Sequence, residues 1–245
     1  RPMMSSSKKI EMGITSPFTK HVKIFPSAMS KEQYNVLKKK KGQSQFSRSE
    51  RDASIMVIPI PDKSLKKDSS KQSFDSGYKA FKDYITVETE RGNKVFTTFE
   101  LPAYFKDSLR TDGKPDIKKL RKYSSIFACI IKNILDFPNE RVFVYDDEVK
   151  GCGGVIMFGL LLEFFGLQRI SRHTQIKKPG TKRRFSIITS HPDMVHDPLA
   201  IKSLLDESNK DENRYGEYHQ VIVGSSTISM GVTIKNVRQY HGVLP

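Results

Sequence analysis

The second half of this 245-residue chain predicts an α/β fold in which a parallel sheet carries helices on both faces. Three observations support it. The runs Val142-Phe143-Val144-Tyr145, Phe185-Ser186-Ile187-Ile188-Thr189 and Gln220-Val221-Ile222-Val223 are nearly continuous in apolar residues, as strands buried on both faces require. Segments of helical period lie between them. Their order (α, β, α, β, α, β, β) suits crossover connections that lay helices over the faces of a parallel sheet.

Taken from the start, residues 22–26 alternate in a strand pattern. Ser30 stands where an N-cap would, ahead of a helical run over 31–37, and Gln33 three residues on completes a capping box. Residues 53–60 read as a strand ended by Pro59 and Pro61. Residues 84–87 and 94–99 pair as a hairpin across Arg91-Gly92-Asn93. Two low-complexity stretches, 38–49 and 63–76, are expected to be mobile, because they bury too little apolar surface to offset the entropy of ordering. The first half is thus a mixed α+β, partly disordered segment.

In the second half, Ile126, Phe127, Ile130, Ile131, Ile134 and Leu135 line one face of a helix over 124–136, which Pro138 stops. The run Gly151-Cys152-Gly153-Gly154 leads into a helix over 155–165 that is apolar nearly all round, hence buried on most sides. A helix over 197–207 and strands at 220–223 and 237–243 follow.

The chain has 42 Lys and Arg against 27 Asp and Glu, a net charge of +15. Residues 1–115 hold 23 basic and 13 acidic residues, residues 116–245 only 19 and 14, so the excess is concentrated in the first half. Such an excess raises nucleic acid or an acidic membrane surface as a partner. No apolar run reaches the roughly 18–20 residues of a membrane span. Two cysteines, Cys129 and Cys152, exclude a disulfide framework and suit a reducing compartment. The chain starts at Arg1 and ends in an apolar strand pattern, so it reads as a piece of a longer polypeptide.

Ligands of a parallel sheet bind at the carboxyl ends of its strands. Three loops qualify: 146–154, 189–191 and 224–227. They are rich in Gly, Ser and Thr, whose backbone N–H and hydroxyl groups can meet phosphate oxygens. An ordinary strand-to-helix turn is the plain alternative for each. The Gly151 run does not complete a Gly-x-Gly-x-x-Gly fingerprint, since Ile156 takes the third glycine's place. The sequence contains neither a Walker-type phosphate loop nor a Gly-x-Ser-x-Gly elbow. The six histidines and two cysteines lack metal-ligand spacing, so no metal site is expected. Residues 166–184 carry seven basic residues and no acid, either a solvated loop or a phosphate-contacting arm.

The run from Val221 to Val237, VIVGSSTISMGVTIKNV, resembles motif V of superfamily 2 helicases, and residues 142–154 resemble the motif IV strand and loop. More narrowly, residues 117–245 resemble the second motor lobe of helicase-like ATPases of large cytoplasmic DNA viruses: the poxvirus early transcription factor small subunit, nucleoside triphosphatase I and their African swine fever virus relatives. Residues 14–40 are more weakly similar to the entry from the first lobe.

The resemblance implies a RecA-like second helicase lobe over 116–245, truncated before motif VI, preceded over 1–115 by a linker and a family-specific insertion. It implies nucleic-acid contacts at Lys150, Gly151, Gly153, Thr189, Ser190 and Ser225, and ATP contacts at Gly231 and Thr233. Thr233 stands where many members have Asp, and Met230 where viral relatives often have a charged residue. Catalytic residues are expected outside this chain, with ATP and Mg held mainly by the first lobe. The whole protein would be an ATP hydrolase acting on DNA or RNA in viral transcription or genome handling, in the host cytoplasm and virion, alongside viral polymerase or transcription factor subunits. The alternative is a non-catalytic interaction module derived from such a lobe.

Overall fold

The computed structural model describes residues 27–40, 48–61, 73–170, 182–189, 198–226 and 233–243. The expected strand at 22–26 and most of the basic 166–184 segment lie outside them. At its centre, β7 (Arg141–Tyr145), β8 (Gln168–Arg169), β9 (Arg184–Ile188), β10 (Val221–Gly224) and β11 (Val237–Gly242) form a five-stranded sheet ordered β11-β7-β10-β9-β8. Every pairing in it is parallel. The predicted α/β architecture, consistent with a RecA-like lobe, is what the chain adopts.

Side chains alternate across a strand, and here each face meets its own core. Val142, Val144, Ile187, Val221 and Val223 pack into the large apolar cluster with α6 (Ser125–Asp136) and α7 (Val155–Phe164). Phe143, Ile188 and Ile222 face the other way, onto Leu204 and Leu205 of α8 (Pro198–Ser208). This double coverage is why the strands read as apolar runs rather than alternating ones. Helix α7 lies so close to the sheet that a Cβ on Gly159 would come within 2.4 Å of Ile187 Cδ1.

The first half is built on the same core. Ile55, Ile58, Phe81, Ile85, Leu101, Phe105 and Leu109 join Phe127, Ile131 and Val223 in one cluster, which therefore crosses position 115. The pieces are α1 (Lys31–Lys40), α2 (Arg48–Ile55), the ribbon β1 (Ile58–Ile60) with β2 (Ser73–Asp75), α3 (Gly77–Ile85), the hairpin β3 (Thr86–Arg91) with β4 (Lys94–Phe99), and α4 (Ala103–Ser108). A two-residue-stranded hairpin, β5 (Arg110–Thr111) with β6 (Lys114–Pro115), and the short α5 (Ile117–Leu120) lead into α6.

The capping box forms: Gln33 N donates to Ser30 Oγ at 3.0 Å, and Ser30 N donates to Gln33 Oε1 at 3.2 Å. Gln33 also does more than cap. Its buried Nε2 donates to the carbonyls of Ser54 and Ile55 at the end of α2, at 2.8 and 3.1 Å. Ser124 caps α6 by accepting from Phe127 N at 3.0 Å while donating to Ile55 O at 2.7 Å. Two helix ends whose backbone groups have no intrahelical partner are thus joined through side chains.

Three expectations are corrected. Residues 53–60 are not one strand: the run finishes α2 before entering β1. A short buried apolar run has no periodicity to separate the two, and Gln33 and Ser124 satisfy the helical end. The hairpin is present but begins at Thr86, because Tyr84 and Ile85 close α3. The edges of the two supposedly mobile stretches are ordered. Lys40 ends α1 and pairs with Asp75 Oδ1 at 2.8 Å while donating to Ser76 O and Oγ, each at 2.9 Å. The rest of those stretches, 41–47 and 63–72, lies outside the described residues.

Candidate nucleic-acid interface at the carboxyl edge of the sheet

The strands end side by side. Just past them, Asp146 N donates to Gly224 O at 3.0 Å, Ser225 N to Ile188 O at 3.2 Å, and Val243 N to Tyr145 O at 2.8 Å. These bonds bring Asp146, Thr189 and Ser225 onto one edge, each buried. They extend the ladder by one residue beyond the strands, so the small hydroxyl residues follow directly on the apolar runs.

Asp146 is the unusual group here. Its Oδ1 accepts from Glu148 N at 2.9 Å, and its Oδ2 has no hydrogen-bond partner among the described residues. Burial pushes its carboxyl up to about 8, against a smaller opposing effect of the Glu148 N–H and of Arg51. At neutral pH it is therefore largely a neutral acid. Its position, first after a buried strand, is a signal that the sequence contains.

Of the residues expected to contact nucleic acid, Thr189 and Ser225 come together on this edge. Lys150, Gly151 and Gly153 occupy a separate place, in the loop that turns from β7 into α7. That loop is docked on the first half of the chain. A Cβ on Gly153 would lie 2.9 Å from Ile55 Cγ2, and one on Gly154 2.7 Å from Val149 O. Cys152 Sγ lies 3.5 Å from Gly77 O, and burial raises its thiol pKa. Gly151 is itself buried with φ +130°, a conformation that suits glycine. Arg48 pairs with Glu148, and Arg51 with Asp147 at 3.7 Å. Lys150 Nζ stands 5.8 Å from the Phe99 ring. The glycines thus serve close packing, a role the motif likeness did not foretell.

Between this loop and α1–α3 lies an open cleft of about 900 Å³. Four basic side chains on its walls, among them Lys40 and Lys150, face four carboxylates, among them Asp52 and Glu148. Asp52 sits beside Gly77, at the start of α3, so an internal acid already occupies that helix end. Burial, then the neighbouring Glu148, raises the Asp52 carboxyl.

Ser190 and Gly231 lie outside the described residues. Thr233 is at the opposite end of the sheet from Ser225. Its carbonyl accepts from Asn209 Nδ2 at 2.8 Å, and two residues on, Lys235 O accepts from Arg141 at the start of β7 at 2.5 Å. No group of three or more His, Cys, Asp or Glu that could hold a metal occurs among the described residues. Nor, among them, is any helix long and apolar enough to cross a membrane.

The amino end of the sheet carries a polar group that sequence reading did not single out. Arg141, buried, donates to Ser208 Oγ at 2.7 Å as well as to Lys235 O. Burial pulls its guanidinium down to about 10. His219, wholly buried, has Nε2 2.9 Å from both Ser186 Oγ and Val221 O. Burial, then Arg141, pulls its imidazole down to about 3, so it is neutral at physiological pH. Asn213 ties the turn before β10 together by bonding Ser208 O and His219 O and accepting from Tyr218 N and His219 N.

No protein-family model matches the chain. It is 27% identical over its full length to "Putative helicase 087L" of Invertebrate iridescent virus 3, of which it covers 22%. It is 34% identical over 135 residues to "Putative ATP-dependent RNA helicase R563" of Acanthamoeba polyphaga mimivirus, covering 55% of this chain and 22% of that protein. Against the "Putative ATP-dependent RNA helicase" of Heliothis virescens ascovirus 3e the identity is 32% over 145 residues, 57% of this chain and 14% of that one. The chain thus spans about a fifth or less of the length of these relatives. Carrying a parallel α/β sheet with Thr189 and Ser225 on its carboxyl edge, it is similar along its whole length to a stretch of a viral protein named as a helicase.

Proposed function

We propose that this chain is the second motor lobe, with its lead-in, of an ATP-dependent nucleic-acid translocase or helicase of a large DNA virus. Residues 116–245 would be the lobe, and residues 1–115 the linker and an insertion that packs on it. The observation that carries the reading is the placing of Thr189 and Ser225 together at the carboxyl ends of two adjacent parallel strands, the edge at which such a sheet binds its ligands. Ser190 belongs to the same proposed track, with Lys150 on its flank, while Gly151 and Gly153 are assigned to the packing of the loop, Gly153 against the first half. The likeness to relatives named as helicases supports it.

ATP and Mg²⁺ are held mainly by the other lobe in this reading, with Gly231 and Thr233 approaching from this one. The narrower affinity with the poxvirus early transcription factor and nucleoside triphosphatase I type, and a place in viral transcription or genome handling in the host cytoplasm, belong to the same proposal. So does the association with polymerase or transcription factor subunits.

Fluorescence anisotropy with labelled 20-nucleotide DNA and RNA at rising salt tests the phosphate track. For single strands the log–log slope is about −0.7 per phosphate contacted. Binding insensitive to salt would overturn it. Ser225→Ala weakens binding by roughly 10-fold if the hydroxyl meets a phosphate. The isolated chain hydrolyses no ATP above background, and turnover by it would refute the assignment of catalysis to other parts.

One observation favours the alternative, a non-catalytic interaction module. The Thr233 backbone is held by Asn209 far from Ser225. Nucleotide-dependent change in nucleic-acid affinity of the longer protein, absent in the module and present in the motor, separates the two.

A further inference from the structure

The β3–β4 hairpin is exposed on both faces over most of its length. Its register sorts its side chains. Directly opposed residues, and residues two apart on a strand, share a face. One face carries Val87 with Thr98, Thr89 with Phe96, and Arg91 with Lys94. The other carries Thr86 with Phe99, Glu88 with Thr97, and Glu90 with Val95. Charge is therefore fully segregated: two cations and no acid on one face, two acids and no cation on the other.

This arrangement costs the hairpin stability. Arg91 and Lys94 are like charges in direct opposition, and a one-for-one exchange with the glutamates behind them would have made attractive cross-strand pairs. On the cationic face Phe96 is 48% exposed and Val87 42% exposed, although neither borders the large core cluster. An exposed aromatic ring beside paired cations is complementary to a ligand that offers flat apolar faces and regularly spaced negative charge.

We propose that the Phe96 face of this hairpin binds single-stranded nucleic acid. A base stacks on Phe96, and Arg91 and Lys94 contact the adjoining phosphates. Lys94 lies two residues from Phe96, about 7 Å along the strand, so a long side chain reaches the phosphate of a stacked nucleotide. The acidic face, with Glu88 and Glu90, repels the strand and gives the hairpin one binding side. Phe99 anchors the base of the ribbon against Phe81, with ring centroids 5.7 Å apart, so the binding face is held on the core. The surface extends the reading given above and shares no residue with the carboxyl-edge track.

The test uses the whole 245-residue chain with labelled oligo-dT and oligo-U 20-mers in anisotropy titrations. Phe96→Ala weakens binding about 5-fold or more, and Phe96→Tyr restores it. Arg91→Ala with Lys94→Ala lowers the salt slope by roughly 1.4. Glu88→Gln with Glu90→Gln leaves affinity the same or tighter. All of these positions are exposed, and unchanged melting curves exclude misfolding. The proposal is overturned if Phe96→Ala and the double cation variant bind like the unchanged chain. It is equally overturned if Phe96→Ala changes only self-association in sedimentation, which would make the face a protein contact. Loss with Ser225→Ala alone sinks the hairpin and leaves the carboxyl-edge track standing. Loss with the hairpin variants alone does the reverse, and no binding at all removes both.

Discussion

The two ends of the central sheet use polar residues in opposite ways. At the amino end, polar side chains bond one another and the ends of helices. Arg141 reaches Ser208 at the end of α8, while Arg183 and Gln220 donate to Ile134 O near the end of α6 at 3.1 and 3.2 Å. Helix carboxyl ends carry carbonyls without intrahelical partners and a partial negative charge, so cations and amides placed there are stabilising. At the carboxyl end, helices start rather than finish, and the strands run into Asp146, Thr189 and Ser225. Part of the chain's +15 charge is therefore spent on closing the fold, and the formal total overstates what is left for a polyanion.

Removing the amino-end network should have the largest effect. Arg141→Met leaves Ser208 and Lys235 O without their buried donor and is expected to cost about 3 kcal/mol in urea unfolding. A loss under about 1 kcal/mol would mean that this end is held by apolar packing alone.

The two ends should also respond to pH with opposite sign. The folded Asp146 carboxyl, pushed up to about 8, keeps a proton that the unfolded chain releases from about 3.8 upward. Its contribution to stability is full at low pH and is lost as pH rises through 8. The folded His219 imidazole, pulled down to about 3, refuses a proton that the unfolded chain takes up below about 6.5. Its contribution is full above 6.5 and is lost as pH falls through 3. Asp146→Asn should therefore stabilise by roughly 2 kcal/mol at pH 9 and by little at pH 4. A gain independent of pH would show that the carboxyl is not held neutral.

Gly153→Ala tests which role the β7–α7 loop has. Against Ile55 the added methyl should cost about 1–2 kcal/mol of stability. Nucleic-acid affinity measured on the folded fraction should stay the same. An affinity loss at full stability would return this glycine to the phosphate track. The smallest effect is expected at Ser30→Ala, about 1 kcal/mol, from loss of the N-cap.

Much of the second half was legible because its signals are local. Apolar runs marked β7, β9 and β10, a 3.6-residue period marked α6, and Ser124 and Pro138 bounded it. The capping box at Ser30 and the Arg91-Gly92-Asn93 turn were legible for the same reason. Gly92, at φ +63°, sits where a two-residue turn needs a residue without a Cβ. The Asp112-Gly113 turn carried an equally clear signal that went unread, and both residues adopt positive φ there. Helix α3 and the helical end of residues 53–60 were missed, since short buried segments take their conformation from what they pack against. Of the site, Thr189 and Ser225 were recognisable as small hydroxyl residues after apolar strands. Nothing in the sequence placed Thr233 at the opposite end.

The sequence by itself determined the class of fold and the identity of the sheet's strands. Both follow from which residues must leave water, and burial is written in composition along the chain. Tertiary structure alone decided that β10 lies between β7 and β9, that the first half shares the sheet's core, and that Gly153 meets Ile55. It also decided that Arg141 and His219 serve the fold, and that the charges of the β3–β4 hairpin fall on separate faces. These depend on contacts between residues distant in the chain and on strand register, which a local pattern does not specify.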